Sequence, residues 1–309
     1  MKRTAIYIVC AGIIFSLGII GCQKSSPTGP ASMNPVSSSD QQSIAAMISQ
    51  DALLTNDVTI FDDGAASNSP SLAKTDTVIS PRAWGRHFTS WTGDKVYTQL
   101  DDSTVLATIT NTLTGNLWIW STGGTVQKPI TMTTTRNVKF VKVIGKDSTK
   151  WTEKFVSAMQ GTTSSGVDTI SITDVTFFIG SDTIDITSPP DQYYLQMGRT
   201  GRFGLHTLIR DVTRKFTVQA TVVSNSPDSD VVVLYHPNAS VVRIRERMVQ
   251  LSVTPNGDGK TYTHVYKRSW IGDYPGDHTI TVGALSKNSL FDSQDAVTSH
   301  EWGIPYIVQ

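Results

Sequence analysis

The stretch TVLATITNTLTGNLWIW, residues 104–120, alternates aliphatic and hydroxyl-bearing side chains, with Val105, Ala107 and Ile109 on one face and Thr108 and Thr110 on the other. A period of two written in β-branched residues is the mark of a half-buried strand. The Thr114-Gly115-Asn116 step reads as a turn, which makes the stretch a hairpin whose second strand runs from Leu117 to Trp120. Working outward, RNVKFVKVIG (136–145), DTISITDVTFFIG (168–180) and DTIDITSP (182–189) repeat the theme, Val, Ile and Thr bounded by Gly, Asp and Pro. WTEKFVSAMQG (151–161) suits a helix face through Trp151, Phe155 and Met159, yet it also alternates, and its neighbours favour a strand.

Composition agrees. Glutamate occurs only at Glu153, Glu246 and Glu301, and helix-forming runs are scarce. Lys plus Arg and Asp plus Glu each number 26, so the chain is formally neutral and has no global field to recruit nucleic acid. A nucleic-acid role is not expected.

The amino end carries an address. Lys2 and Arg3 precede an uncharged apolar run from Ile6 to Ile20. That run is too short for the ~20 residues of a membrane span and long enough for a signal peptide. Ile19-Ile20-Gly21-Cys22 follows it, and this ending resembles a bacterial lipobox. The resemblance implies removal of residues 1–21, diacylation of Cys22 and a membrane partner reached through that lipid. Gln23 in place of Asp favours the outer membrane of the cell envelope. Cys10 lies in the segment to be removed, so no internal disulfide is expected.

Residues 22–81 read as a tether. Gln23 to Ser39 is rich in Ser, Pro and Gly and cannot bury enough surface to order itself. Ser39 and Gln42 form a capping box, and Ile44, Met47 and Ile48 follow at helical spacing, so one short helix is expected near 39–54. Asn56 to Ser80 looks irregular. The expected class is all-β, with β-sandwich domains over 82–200 and 201–309 divided at the glycine-rich QMGRTGRFG (196–204). Beyond it, RKFTVQATVVSN, SDVVVLYHPN, KTYTHVYKRSW and GDHTITVGAL supply closely spaced strands, a pattern that resembles an immunoglobulin-like or fibronectin-type sandwich in architecture.

No H-E-x-x-H, G-x-S-x-G, P-loop or C-x-x-C motif is present, so no enzyme activity and no cofactor are expected. Asn256 and Asp258 in VTPNGDGKTYTH alternate as in a calcium loop, but Lys260 stands where an acid is wanted, and the same residues suit a plain hairpin turn. Arg243, Arg245 and Arg247 alternate along one strand face, with Lys267 and Arg268 on the expected hairpin partner. They form either an anion-gripping patch or a solvated face, and a phase shift nearby implies a bulge at Arg247. Trp118 and Trp120 share a face, either stacking on sugar rings or filling a core. The sequence thus describes a lipid-anchored envelope protein acting as a binding or structural module on an envelope protein or glycan. The alternatives are a carbohydrate-binding or polysaccharide-associated lipoprotein and a hydrolase with a site assembled from loop Asp and His residues.

Overall fold

The computed structural model describes residues 35–55, 61–65, 78–144, 149–163, 168–179, 182–196, 208–209, 215–236, 244–271 and 275–308. The expected signal segment, Cys22 and most of the expected tether lie outside them. Two helices come first, α1 (Ser38–Gln50) and α2 (Ala52–Thr55), then a short strand β1 (Phe61–Ala65). Three long strands form an antiparallel meander, β2 (Pro81–Asp101), β3 (Thr104–Ser121) and β4 (Gly124–Ile144). Shorter strands follow: β5 (Thr149–Ser157), β6 (Met159–Thr163), β7 (Ile170–Ile179) and β8 (Asp182–Thr187). A 3-10 turn at Pro190–Gln192 leads to β9 (Tyr194–Gln196) and β10 (Leu208–Ile209). The remainder is β11 (Lys215–Ser224), β12 (Val231–His236), β13 (Ile244–Arg247), β14 (Val249–Pro255), β15 (Tyr262–Ile271), β16 (Gly276–Leu285), helix α3 (Lys287–Phe291) and β17 (Ser299–Val308).

The all-β expectation holds at the level of class: two sheets, antiparallel apart from the β10–β17 pair, with short helices. The larger runs β1-β2-β3-β4-β6-β17-β16-β12-β13 and the smaller β14-β15-β11-β7-β8. Strands from both sides of residue 200 enter each sheet, since β6 pairs β17 and β7 pairs β11. The strands are therefore not partitioned into separate 82–200 and 201–309 domains, and residues 34–309 make one compact unit. Pairing over such distances leaves no trace in the local sequence.

Three layers result. Val232 and Leu234 of β12, with Ile280, Val282, Trp302 and Ile304, pack against Phe177, Phe216 and Val218 of the smaller sheet. The other side of β12, through Val231, Val233 and Tyr235, packs against Trp84, Leu113, Leu117 and Ile119 of the meander. Strands β12, β16 and β17 are thus the middle layer, nearly all buried. A third cluster joins Ile44, Ile48 and Leu54 to Val105, Ala107, Val138 and Phe140, so the helices cover the far end of the meander's inner face. Each such side chain removed from water contributes about 1.5–3 kcal/mol.

Local details correct several expectations. The helix begins two residues early: Ser37 is the cap, its Oγ accepting from the Asp40 amide at 3.2 Å. The Ser39–Gln42 box therefore falls inside α1. The lead-in contains a strand, β1, paired with β2. Residues 151–161 are strands β5 and β6, interrupted at Ala158. Thr114-Gly115-Asn116 is no turn but the middle of β3. A Cβ on Gly115 would lie 2.0 Å from the carbonyl oxygen of His87, where β2 bulges between Phe88 and Ser90. The glycine thus permits close backbone approach in a continuous strand. The expected bulge near Arg247 is a change of sheet: β13 pairs β12, Met248 donates its amide to Val232 O at 2.8 Å, and β14 continues on β15.

Candidate functional site

Alternation gives the meander two different faces. Odd residues of β3 point inward, where Val105, Leu117 and Ile119 are fully buried, and even residues point outward. On that outer face the register sets Trp118 between Gly85 of β2 and Gln127 of β4, and Trp120 between Ala83 and Thr125. Small residues on the β2 side leave the indoles room. The two rings stack with centroids 6.3 Å apart and planes 27° apart, within the range for offset stacking. Both are half-buried, neither core nor fully free, and Trp118 Nε1 is enclosed without a hydrogen-bond partner.

The outer face continues along β3 as rows of hydroxyls. Thr112 lies between Thr92 and Thr133, and Thr114 between Ser90 and Thr131. Threonine is placed here by its preference for strands, and a pleated surface holds its Oγ and methyl in fixed orientation. Thr108 ends the stretch by donating to Asn137 Oδ1 at 2.8 Å.

The arginine stripe is not a surface patch. Arg243 lies outside the described residues. Arg245 stacks its guanidinium 3.8 Å above the Trp84 ring and donates to Trp84 O at 2.8 Å. Arg247 is half-buried, and burial pulls its pKa down. Arg268 is taken up by Glu246, Nε to Oε2 at 2.6 Å, and its hydrogen bond holds that carboxyl below the usual range. These groups brace strands rather than present a cationic face. Lys267 stands opposite Val249 of β14, not beside β13.

The calcium reading meets a different obstacle. Asp258 Oδ1 accepts the amides of Lys260 and Thr261, both at 2.9 Å, and its Oδ2 accepts from Thr261 Oγ1 at 2.8 Å. Asn256 Oδ1 accepts from Thr263 Oγ1 at 2.8 Å, and Gly259 takes φ +65°. The loop's oxygens are committed to closing the β14–β15 hairpin. Among the described residues no group of His, Cys, Asp and Glu is arranged to hold a metal ion.

Buried polar groups gather where layers meet. The Arg86 guanidinium pairs with Glu301 and donates to the Tyr235 hydroxyl at 3.1 Å, between the middle layer and the meander. His300 Nδ1 accepts the Ile172 amide at 2.7 Å, and burial pulls its pKa down to about 4. Burial, with the Asp51 carboxyl beside it, pushes Glu153 up to about 8. His264 and His278 are buried singly, and His206 lies outside the described residues. A cavity of about 290 Å³ beside β8 is lined by Asp185, Gln192 and Tyr193 among others, with Asp185 its one acid.

The rows of Thr were not singled out in the sequence, although alternation with Val and Ile was the available signal. No protein-family model matches the chain, and neither curated proteins nor solved structures give a match.

Proposed function

We propose that this chain is a lipid-anchored protein of the cell envelope, held at the outer membrane through Cys22, that binds carbohydrate without catalysis on the outer face of its β2–β4 meander. The stacked Trp118–Trp120 pair carries the reading. Its inward neighbours Leu117 and Ile119 already fill the core, so the indoles are not needed there. Half-exposed flat rings flanked by Gln127 and Thr125 suit the apolar face of a sugar, with amide and hydroxyl groups beside it for hydrogen bonds. The same reading takes the facing sheets as an immunoglobulin-like sandwich, supported by the strand that changes sheet at Met248.

The full-length lipidated protein in detergent, passed over immobilised glycans, is expected to be retained. Trp118→Ala and Trp120→Ala are each expected to lose retention while keeping the far-ultraviolet spectrum of the native sheets. Failure of the wild type to bind any glycan overturns the reading. For the anchor, Cys22→Ser is expected to abolish incorporation of labelled palmitate and to shift the protein to the aqueous phase.

A further inference from the structure

The outer face of the meander is long, narrow and sparsely charged, with Asp94 opposite Thr110 and the Asp191 carboxylate accepting from Asn137 at the far end. Between Trp120 and Thr108, β3 advances twelve residues, about 40 Å at roughly 3.4 Å per residue, while three strands span only about 10 Å. Along this strip most cross-strand neighbours of β3 are hydroxyls, amides and small residues; His87 and Pro129 flank Asn116, Asp94 stands opposite Thr110 and Val96 opposite Thr108. The Lys139 ammonium sits 4.0 Å over the Tyr194 ring at the far end.

Three cations of the same strands turn inward, Lys95 has the inward parity opposite Ile109, and Arg82 is exposed at the bulge before Ala83. Arg86, Lys128 and Arg136 are each 5% exposed or less. Arg86 is held by Glu301, Lys128 donates to the carbonyls of Ser289 and Asp292 at 2.8 and 2.7 Å, and Arg136 Nη1 donates to Leu53 O at 2.7 Å. An anionic polymer needs a row of outward cations for its carboxylates or sulfates, and the described outer face has them only at its two ends, Arg82 next to Ala83 and Lys139 opposite Leu106, with none along the threonine rows. Rows of hydroxyls that both donate and accept match a neutral sugar, whose own hydroxyls do the same.

Resting on the carbohydrate reading, we infer that the ligand is a neutral, unbranched polysaccharide lying lengthwise along β3, with Trp118 and Trp120 gripping one segment and the threonine rows contacting the segments beyond. A terminal sugar or a short branch would meet the indoles alone. A linear chain meets the strip over its length, and each added unit contributes a further weak contact.

The test is calorimetric titration of the full chain with neutral cello- and manno-oligosaccharides of two to eight units, with oligogalacturonates as the anionic counterpart. Affinity for the neutral series is expected to rise about tenfold or more from dimer to hexamer, and the anionic series to bind more weakly at equal length. The double variant Thr112→Ala, Thr133→Ala is expected to lose that gain with length while binding the dimer as the wild type does. Trp118→Ala is expected to weaken every length. Equal affinity for dimer and hexamer, an unaffected double variant, or tighter binding of the anionic series overturns the inference while leaving the indole site in place. Absence of binding by the wild type to any glycan removes both.

Discussion

Strand β3 and strand β17 solve opposite problems. Inward residues of β3 are dry and outward ones wet, so every second position is free to be threonine, asparagine or tryptophan. β17 is covered on both sides, and nine of its ten residues are buried, including His300 and Glu301. A strand with one wet face needs apolar residues at every second position. A middle-layer strand has no wet face, so a polar group on it finds a partner inside the protein or, like Ser299 Oγ and Trp302 Nε1, stays unsatisfied. Arg86 answers Glu301 and also donates to the Tyr235 hydroxyl, and the Ile172 amide answers His300. Tolerance to substitution should therefore differ sharply between the two.

The largest effect is expected at Glu301→Ala, which removes the buried carboxylate that pairs with the Arg86 guanidinium and should cost about 3–5 kcal/mol by equilibrium denaturation. A loss under 1 kcal/mol would show that this ion pair contributes little to the middle layer.

Acidification probes the same layer. A neutral His300 in the folded state, at about 4 against an ordinary 6.5, binds fewer protons than the unfolded chain between those values. Its stabilisation is whole above pH 6.5 and falls as pH drops toward 4, by about 3 kcal/mol if the full shift is realised. Glu153 has the opposite sign, its pKa raised from 4.5 to about 8, so stability falls as pH climbs through that window. Glu153→Gln is expected to remove the alkaline decline and to leave the acid limb to His300. Between pH 4.5 and 6.5 the two slopes oppose each other and nearly cancel in the wild type, so melting temperatures from pH 4 to 9 are compared between the wild type and Glu153→Gln; an acid limb that stays flat in Glu153→Gln contradicts the first.

Gly115→Ala brings a methyl against the His87 carbonyl at the β2 bulge and is expected to cost about 1–3 kcal/mol, more than loss of a side chain from the meander's outer face. At the small end, Thr133→Ala on that outer face should change stability by about 0.5 kcal/mol or less. A cost at Thr133 comparable to that at Gly115 would mean the outer face is covered by packing.

What could be read in advance follows the same division. Alternation in residues 104–120 correctly put Val105, Ala107 and Ile109 on one face, because a half-buried strand writes its environment into its own sequence. Ile44 and Ile48 announced the buried side of α1 for the same reason, and the phase shift after Arg247 marked the change of sheet. Local patterns do not say which strand pairs with which. Nothing in the sequence of β6 foretold its pairing with β17, and that contact is what merges the expected sandwiches. Gly115 misled because a glycine serving close backbone approach has the same letter as one serving a turn. The alternating arginines misled because period two fixes a shared face but not what lies against it; Trp84 covers Arg245. At the candidate site, the tryptophan pair was visible, whereas the sparse charge of the surface around it depends on Arg86, Lys128 and Arg136 turning inward.

Arg136 links the carbonyl of Leu53, at the end of the helical segment, to that of Gly303 in β17 at 2.7 and 3.3 Å. The helical segment is therefore fastened to a strand of the middle layer through one buried guanidinium, and peeling it away exposes that charge as well as the apolar cluster beneath Ile44, Ile48 and Leu54.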